Sequence, residues 1–271
     1  MPRVGEDLRR YLRVEAMPNV WCPGCGHGNV ARAIATALNR LNRPLDQVVL
    51  VGGIGCSGRT PFYFNANAMH TTHGRALAFA TGIKLVKPEL TIIATMGDGD
   101  TAAIGGNHFI HACRRNIDVT AVVYNNGTYG MTGGQHAPTA PRGSKSSTTP
   151  LGSIEPPFDL VELALAAGAS YVARTTTFDF DELPRRIEEA IRHPGFAVVE
   201  VLTQCPTYYG RLNELGDPVA MLDYERDQTA PLDLIEKEDL VGKLPLGVFR
   251  RELRPEYTSQ YAALRAEAGS A

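Results

Sequence analysis

No stretch of this chain approaches the roughly 18 consecutive apolar residues that a membrane-crossing helix needs, so a helical membrane protein is not expected. Charge of one sign is also lacking. The 27 Lys and Arg against 29 Asp and Glu leave a formal net charge of −2, which offers nothing to nucleic acid or an anionic membrane. The opening "MPRVGEDLRRYLRVEAMPNVW" has no apolar core of the secretory kind, and a cytoplasmic location is the expectation. Cysteine is scarce, five in 271 residues, and the count is odd. In a compartment that keeps thiols reduced this speaks against a disulfide framework and for metal or cluster ligation.

What is present is ordinary for a globular protein with one good core: 44% hydrophobic and 21% charged residues. From residue 28 onward, helical patterns alternate with apolar runs. Helices are predicted over Val30 to Leu41, His73 to Val86 (stopped by Pro88), Ile104 to Asn116, Leu160 to Ala167 and Phe180 to Arg192. Buried strands are predicted over Val48 to Gly53, Leu90 to Met96, Val119 to Tyr124, Tyr171 to Thr175 and Phe196 to Leu202. Strands without alternation, separated by helices, predict a parallel α/β sheet covered on both faces. Three parts are expected: an N-terminal arm over 1–20, the α/β domain over 21–206, and a C-terminal extension over 207–271. The extension, with scattered apolar residues and several prolines, is expected to be irregular and to wrap the domain or reach a partner. Residues 137–157, "APTAPRGSKSSTTPLGSIEPP", cannot form a sheet strand; a loop of that length is functional or a contact surface.

Two constellations carry chemistry. The first is "GDGD", Gly97 to Asp100, at the end of one predicted strand, and Asn126 in "NNGT" at the end of the next, 26 residues beyond Asp100. One helix joins the strands, so a right-handed crossover puts Asp98 and Asn126 on the same carboxyl edge, where α/β proteins bind ligands. Mg²⁺ seeks oxygen ligands and takes few from protein and the rest from phosphate and water. A carboxylate, an amide oxygen and a backbone carbonyl such as that of Thr128 meet that need, and the glycines admit phosphate to the backbone N–H groups.

The second is Cys22 and Cys25 around a Pro-Gly turn, with Cys56 in the glycine-rich "GGIGCSG". For a fourth thiolate there are two candidates. Cys113 lies inside a predicted helix and reads as a packed thiol. Cys205 follows the last strand and is the better ligand. Four thiolates suit structural zinc or a [4Fe–4S] cluster, and spacing does not separate these.

"GDG" followed at this distance by Asn resembles the thiamine diphosphate motif. The wider run "HGRALAFATGIK…GDGD…NNGTYGMTGGQ" is similar to the β subunits of the 2-oxoacid:ferredoxin oxidoreductases, over most of Trp21 to Arg211. The resemblance implies a doubly wound, mainly parallel fold of the thiamine diphosphate-binding type. It implies Mg²⁺ on Asp98, Asn126 and the Thr128 carbonyl, and diphosphate contacts from the backbone around Gly97, Gly99 and Asp100 and around Gly130 and Met131. Ile54, Gly55, Cys56, Ser57 and His73 are expected along the rest of the cofactor. The resemblance also turns the cysteine reading to a [4Fe–4S] cluster on Cys22, Cys25, Cys56 and Cys205.

The reaction so implied is oxidative decarboxylation of a 2-oxoacid with coenzyme A, giving acyl-CoA, CO₂ and reduced ferredoxin. The 2-oxoglutarate type is the most similar; pyruvate or a branched-chain 2-oxoacid is the alternative substrate. Arg59 is the expected receptor for the substrate carboxylate. His70 reads as structural, and His111, Arg114 and Arg115 as a solvated helix end. Thiamine diphosphate needs an activating Glu from a second α/β domain, which this chain lacks, so an α subunit is expected to supply it. A non-redox thiamine diphosphate subunit with structural zinc, or an electron-transfer subunit without thiamine diphosphate, each leaves half of these residues idle.

Overall fold

In the computed structural model, residues 8–236, 240 and 242–269 are described. Residues 1–7 of the expected arm, and 237–239, 241 and 270–271 of the expected extension, lie outside them.

Strand β1 (Val48–Gly52) is buried throughout, and its parallel neighbours follow by crossover: β2 (Asn67–His70), β3 (Thr91–Gly97), β4 (Thr120–Asn125), β7 (Tyr171–Thr176) and β8 (Ala197–Leu202). A short hairpin, β5 (Thr128–Tyr129) with β6 (Gln135–His136), stands apart. The main sheet has eight strands in the order β2-β1-β3-β4-β8-β7-β10-β9, where β9 is Thr229–Pro231 and β10 is Leu244–Arg251. Only the β7–β10 pairing is antiparallel.

Two-residue alternation divides the sheet's side chains between two cores. Leu50, Ile93, Val122 and Val199 face one way, onto α1 (His27–Arg40) and α5 (Glu182–Arg192). Val51, Ala94, Val123 and Val198 face the other, onto α2 (Ala76–Val86), α3 (Gly106–Arg115) and α4 (Leu160–Ala167). Val30, Ile34 and Leu38, four residues apart on α1, have no exposed surface, which is why that segment coils as an amphipathic helix. Asp159 caps α4 by accepting from Val161 N and Glu162 N, and Gly168 (φ 89°) ends it in the left-handed region. This is the doubly wound parallel sheet that the sequence predicts.

Two expectations are corrected. The extension from residue 207 is not irregular: it carries α6 (Pro218–Asp227), capped by Asp217, then β9, β10 and α7 (Tyr257–Gly269). Its apolar residues look scattered because β10 is nearly an edge strand with a register shift between Val248 and Arg250, so no clean period shows. The predicted helix from Ile104 begins at Gly106, and Asp100–Ile104 before it is a π-helical turn. Residues 137–157 do form a loop, fastened within itself by Gly143 N to Ser153 O (2.7 Å) and to the extension by Lys145 N to Asn213 Oδ1 (2.7 Å). The arm packs on the domain, with Tyr11 fully buried in the α1–α5 core.

Candidate functional site

Strands β2, β1, β3, β4, β8 and β7 run parallel to one another and end at one edge. Gly53 to Ser57 follow β1, Asp98 to Asp100 follow β3, Asn126 to Thr128 follow β4, and Thr203 to Cys205 follow β8. A cleft opens among the first three. It is lined by all thirteen residues expected along the cofactor: Ile54, Gly55, Cys56, Ser57, His73, Gly97, Asp98, Gly99, Asp100, Asn126, Thr128, Gly130 and Met131. Four further residues, His27, Tyr124, Tyr129 and Thr132, complete the wall.

Asp98 is buried at the floor. Its Oδ2 accepts from Gly127 N (2.9 Å) and from the Thr139 hydroxyl (2.6 Å). Burial raises its pKa to about 6 in spite of these bonds, the behaviour of a carboxylate that has hydrogen bonds but no cation beside it. Asp100 is equally deep. Oδ1 accepts from Gly74 N (2.6 Å) and stands 2.5 Å from His73 Nδ1, while Oδ2, pressed on the Gly53 backbone, lacks a well-directed partner. A methyl group on Gly53 would collide with that carboxylate, and one on Gly99 with the Tyr129 ring. Gly55 (φ 103°) instead faces open space in the cleft. The turn after β4 is held by Asn126 Oδ1 accepting from Thr128 N (3.2 Å).

Cys22, Cys25, Cys56 and Cys205 converge at one corner of the same edge. Burial, then the neighbouring thiols, pushes Cys25 up to about 12 and Cys56 up to about 11, and Cys205 is raised as well. Cys22 is exposed and acts on the other three. Among the described residues no three His, Cys, Asp or Glu side chains are close enough to share one ion. The corner is braced by Trp21, whose Nε1 donates to Cys56 O (2.8 Å) and whose ring packs on Tyr63 (centroids 4.9 Å apart). His27, held neutral by burial that lowers it to about 3, places Nδ1 3.3 Å from Cys25 Sγ. A Cβ on Gly130 would lie 3.4 Å from Cys56 Sγ and 3.8 Å from Cys205 Sγ, so the cleft wall and the thiol corner meet there.

Cys113 belongs to the α2–α4 core and is far from this chemistry, as its helical setting implies. Arg59 is not in the cleft wall; it is half-buried, with its guanidinium over the Phe62 ring at 5.4 Å. His70 ties the β2 end to the cysteine loop through Nδ1 and Gly58 O (3.1 Å), a structural contact. Sequence reasoning missed Thr139, His27 and Tyr124. Thr139 lies in the loop over 137–157, and its threonine-rich composition gave no pointer to Asp98.

Residues 53–201 match the family model described as thiamine pyrophosphate enzyme, C-terminal TPP binding domain. The chain is 51% identical over 260 residues to the 2-oxoglutarate synthase subunit KorB of Archaeoglobus fulgidus, covering 94% of this chain and 93% of that one. It is 38% identical to the 2-oxoacid:ferredoxin oxidoreductase subunit beta of a Sulfolobus species, covering 90% and 86%. Among solved structures it is similar to the 2-oxoglutarate:ferredoxin oxidoreductase from Magnetococcus marinus with 2-oxoglutarate, coenzyme A and succinyl-CoA bound. The TM-score is 0.88 at 32% identity, over 98% of this chain and 93% of the other.

Proposed function

This chain belongs to the β-subunit family of the 2-oxoacid:ferredoxin oxidoreductases, of the 2-oxoglutarate type, and from that premise we propose how its edge of the sheet performs the reaction. The substrate is 2-oxoglutarate and the products are succinyl-CoA, CO₂ and reduced ferredoxin. The partner is an α subunit, which supplies the activating Glu and the rest of the substrate pocket.

The donor set fits Mg²⁺ and a diphosphate. Asp98, Asn126 and the Thr128 carbonyl offer hard oxygen ligands, and a divalent cation beside Asp98 relieves the burial that holds its pKa at about 6. Gly55, Gly99 and Gly130 let the backbone approach the cofactor. The four thiols, gathered at one corner beside the cleft and close enough to feel one another's charge, fit the four-cysteine ligand set of a [4Fe–4S] cluster. Thiamine diphosphate, when bound, supplies the nucleophile and electron sink for decarboxylation, and the cluster an outlet for single electrons.

The chain's own residues set the geometry. Thr139 and Gly127 orient Asp98; His73 and Gly74 hold Asp100 in the wall. Arg59, close to the cysteine loop, is the residue that would receive a substrate carboxylate as the α subunit closes over the edge. Burial keeps bulk water from the floor. Free thiols and an oxygen-sensitive cluster suit the cytoplasm. The described domain, arm and extension act as one unit, with 21–206 carrying both cofactor sites.

The observation that carries this reading is Gly130 in the cleft wall, where an added Cβ would lie 3.4 Å from Cys56 Sγ and 3.8 Å from Cys205 Sγ. Residues that would hold the cofactor and residues that would hold the cluster are thus neighbours on one edge. The test is anaerobic turnover of the co-expressed αβ complex with 2-oxoglutarate, CoA and ferredoxin. Reduced ferredoxin formed only when both substrates are present is the expected result. Decarboxylation without reduction of any acceptor would sink the redox reading, and preference for pyruvate would replace the substrate.

A further inference from the structure

The best-buried ion pair described in the chain lies outside the cofactor cleft and has no role in the mechanism above. Arg174 on β7 and Glu200 on β8 face each other in parallel register, and both side chains are nearly inaccessible to water. Arg174 Nε donates to Glu200 Oε2 (2.6 Å) and Nη2 to Asp159 Oδ1 (2.6 Å), the same oxygen that caps α4. Phe249 of β10 lies against the guanidinium, with its ring centroid 5.6 Å away. A pair buried this deep contributes little net stability, because desolvation offsets the attraction; its value lies in fixing positions.

Glu200 Oε1 is left to accept from Asn125 Nδ2, at 2.7 Å. A carboxylate only accepts, so the NH₂ end of the Asn125 amide must face it. That turns Asn125 Oδ1 toward Gly127 N, 3.4 Å away, and Gly127 N is the group that also donates to Asp98 Oδ2. A continuous chain of contacts therefore runs Asp159, Arg174, Glu200, Asn125, Gly127, Asp98, from the cap of α4 to the floor of the cleft. A cavity of about 410 Å³ lies over the middle of it, lined by Asn125, Asp159, Arg174 and Glu200 among others. Hydrogen bonds, more than packing, hold these side chains in place.

We propose that Glu200 is a positioning residue for the metal–diphosphate turn: anchored by Arg174, it orients the Asn125 amide and through it the Gly127 N–H and the Asn126–Thr128 turn on which Mg²⁺ and thiamine diphosphate depend. The inference rests on the functional reading above. Outer partners of metal ligands typically carry roughly ten- to a hundred-fold of the affinity, and that is the effect expected here.

The test uses the co-expressed αβ complex as wild type, Glu200→Gln, Asn125→Ala and the double variant, with thiamine diphosphate binding followed by equilibrium dialysis across a Mg²⁺ series. Both single variants should bind thiamine diphosphate about tenfold more weakly at limiting Mg²⁺, recover at high Mg²⁺, and keep wild-type iron content and cluster spectrum. The double variant should be no weaker than Asn125→Ala, because Glu200 acts through that amide. Should Glu200→Gln fail to fold, Asn125→Ala carries the test, since it leaves the Arg174–Glu200 pair intact. Unchanged affinity in Asn125→Ala, or losses that multiply in the double variant, would overturn the proposal. A wild-type complex that takes up no thiamine diphosphate would overturn the functional reading and this inference with it.

Discussion

The floor of the cleft and the cysteine corner share one edge of one sheet, yet they are built on opposite principles. At the floor, Asp98 and Asp100 are fixed by donors already in place: Gly127, Thr139, Gly74 and His73. At the corner, the thiols come from the turn before α1, the β1 end and the β8 end, and burial outweighs the nearby donors and raises Cys25, Cys56 and Cys205 toward the neutral form. A hydrogen-bonded floor is preorganised for a ligand that comes and goes. Raised thiols need a metal partner to become thiolate, so the proposed cluster would be part of the folded corner in a way the diphosphate would not be of the floor.

The sharpest way to break that contrast is to disable each side and read the other. Asp98→Ala should abolish Mg²⁺-dependent thiamine diphosphate binding and lower turnover by about a thousandfold, since a metal's charge stabilisation is worth several kcal/mol. Iron content should stay at the wild-type level. Cys56→Ser should do the reverse, losing iron and ferredoxin reduction while retaining thiamine diphosphate. If either variant lost both cofactors, the two sites would be one cooperative unit and the contrast would fall. Next in size is Gly53→Ala, which drives a methyl group into the Asp100 carboxylate. Overpacking of this kind costs about 1–3 kcal/mol, and weaker thiamine diphosphate binding with unchanged iron is the outcome to look for in dialysis and iron assays.

The smallest effect concerns neither site. Glu225 of α6 is pushed up to about 8 by burial. The Thr177 hydroxyl lies 2.6 Å from Gln204 Oε1 and 3.0 Å from Glu225 Oε2. That hydroxyl and the backbone N–H groups of Thr177 and Phe178 donate to Glu225 and favour its ionised form, but burial outweighs them. The native protein thus keeps a proton that the unfolded chain has lost, and stability falls as pH rises toward 8. Glu225→Gln should flatten that slope, by on the order of 1–2 kcal/mol between pH 6 and 8 in denaturant titrations. An unaltered slope would show the acid is ionised in the fold.

How much could be read beforehand follows the same division. Long apolar strands joined by amphipathic helices announce themselves, and with them the edge that carries Asp98 and Asn126. Cys205 could be preferred to Cys113 because one follows a strand and the other sits inside a helix. β2 escaped notice because "NAMH" is an exposed edge strand without an apolar period, and β10 because its pairing depends on β7, some seventy residues earlier. Thr139, Asn125 and Glu200 were missed because their partners are distant in the chain. A signal existed all the same: Glu200 is the lone charge in "FAVVEVL", and Arg174 the lone charge in "YVART". A charge inside a fully buried strand must have a partner.

One sheet edge is proposed to hold both a diphosphate cofactor and an iron–sulfur cluster, with Gly130 between the two sets of residues. Iron, acid-labile sulfide, zinc and thiamine diphosphate measured together on the anaerobically purified αβ complex test it most directly. About four iron and four sulfide per β chain, as the cluster's stoichiometry demands, with thiamine diphosphate alongside, is the predicted result. Zinc in place of iron, or thiamine diphosphate with neither, would contradict it.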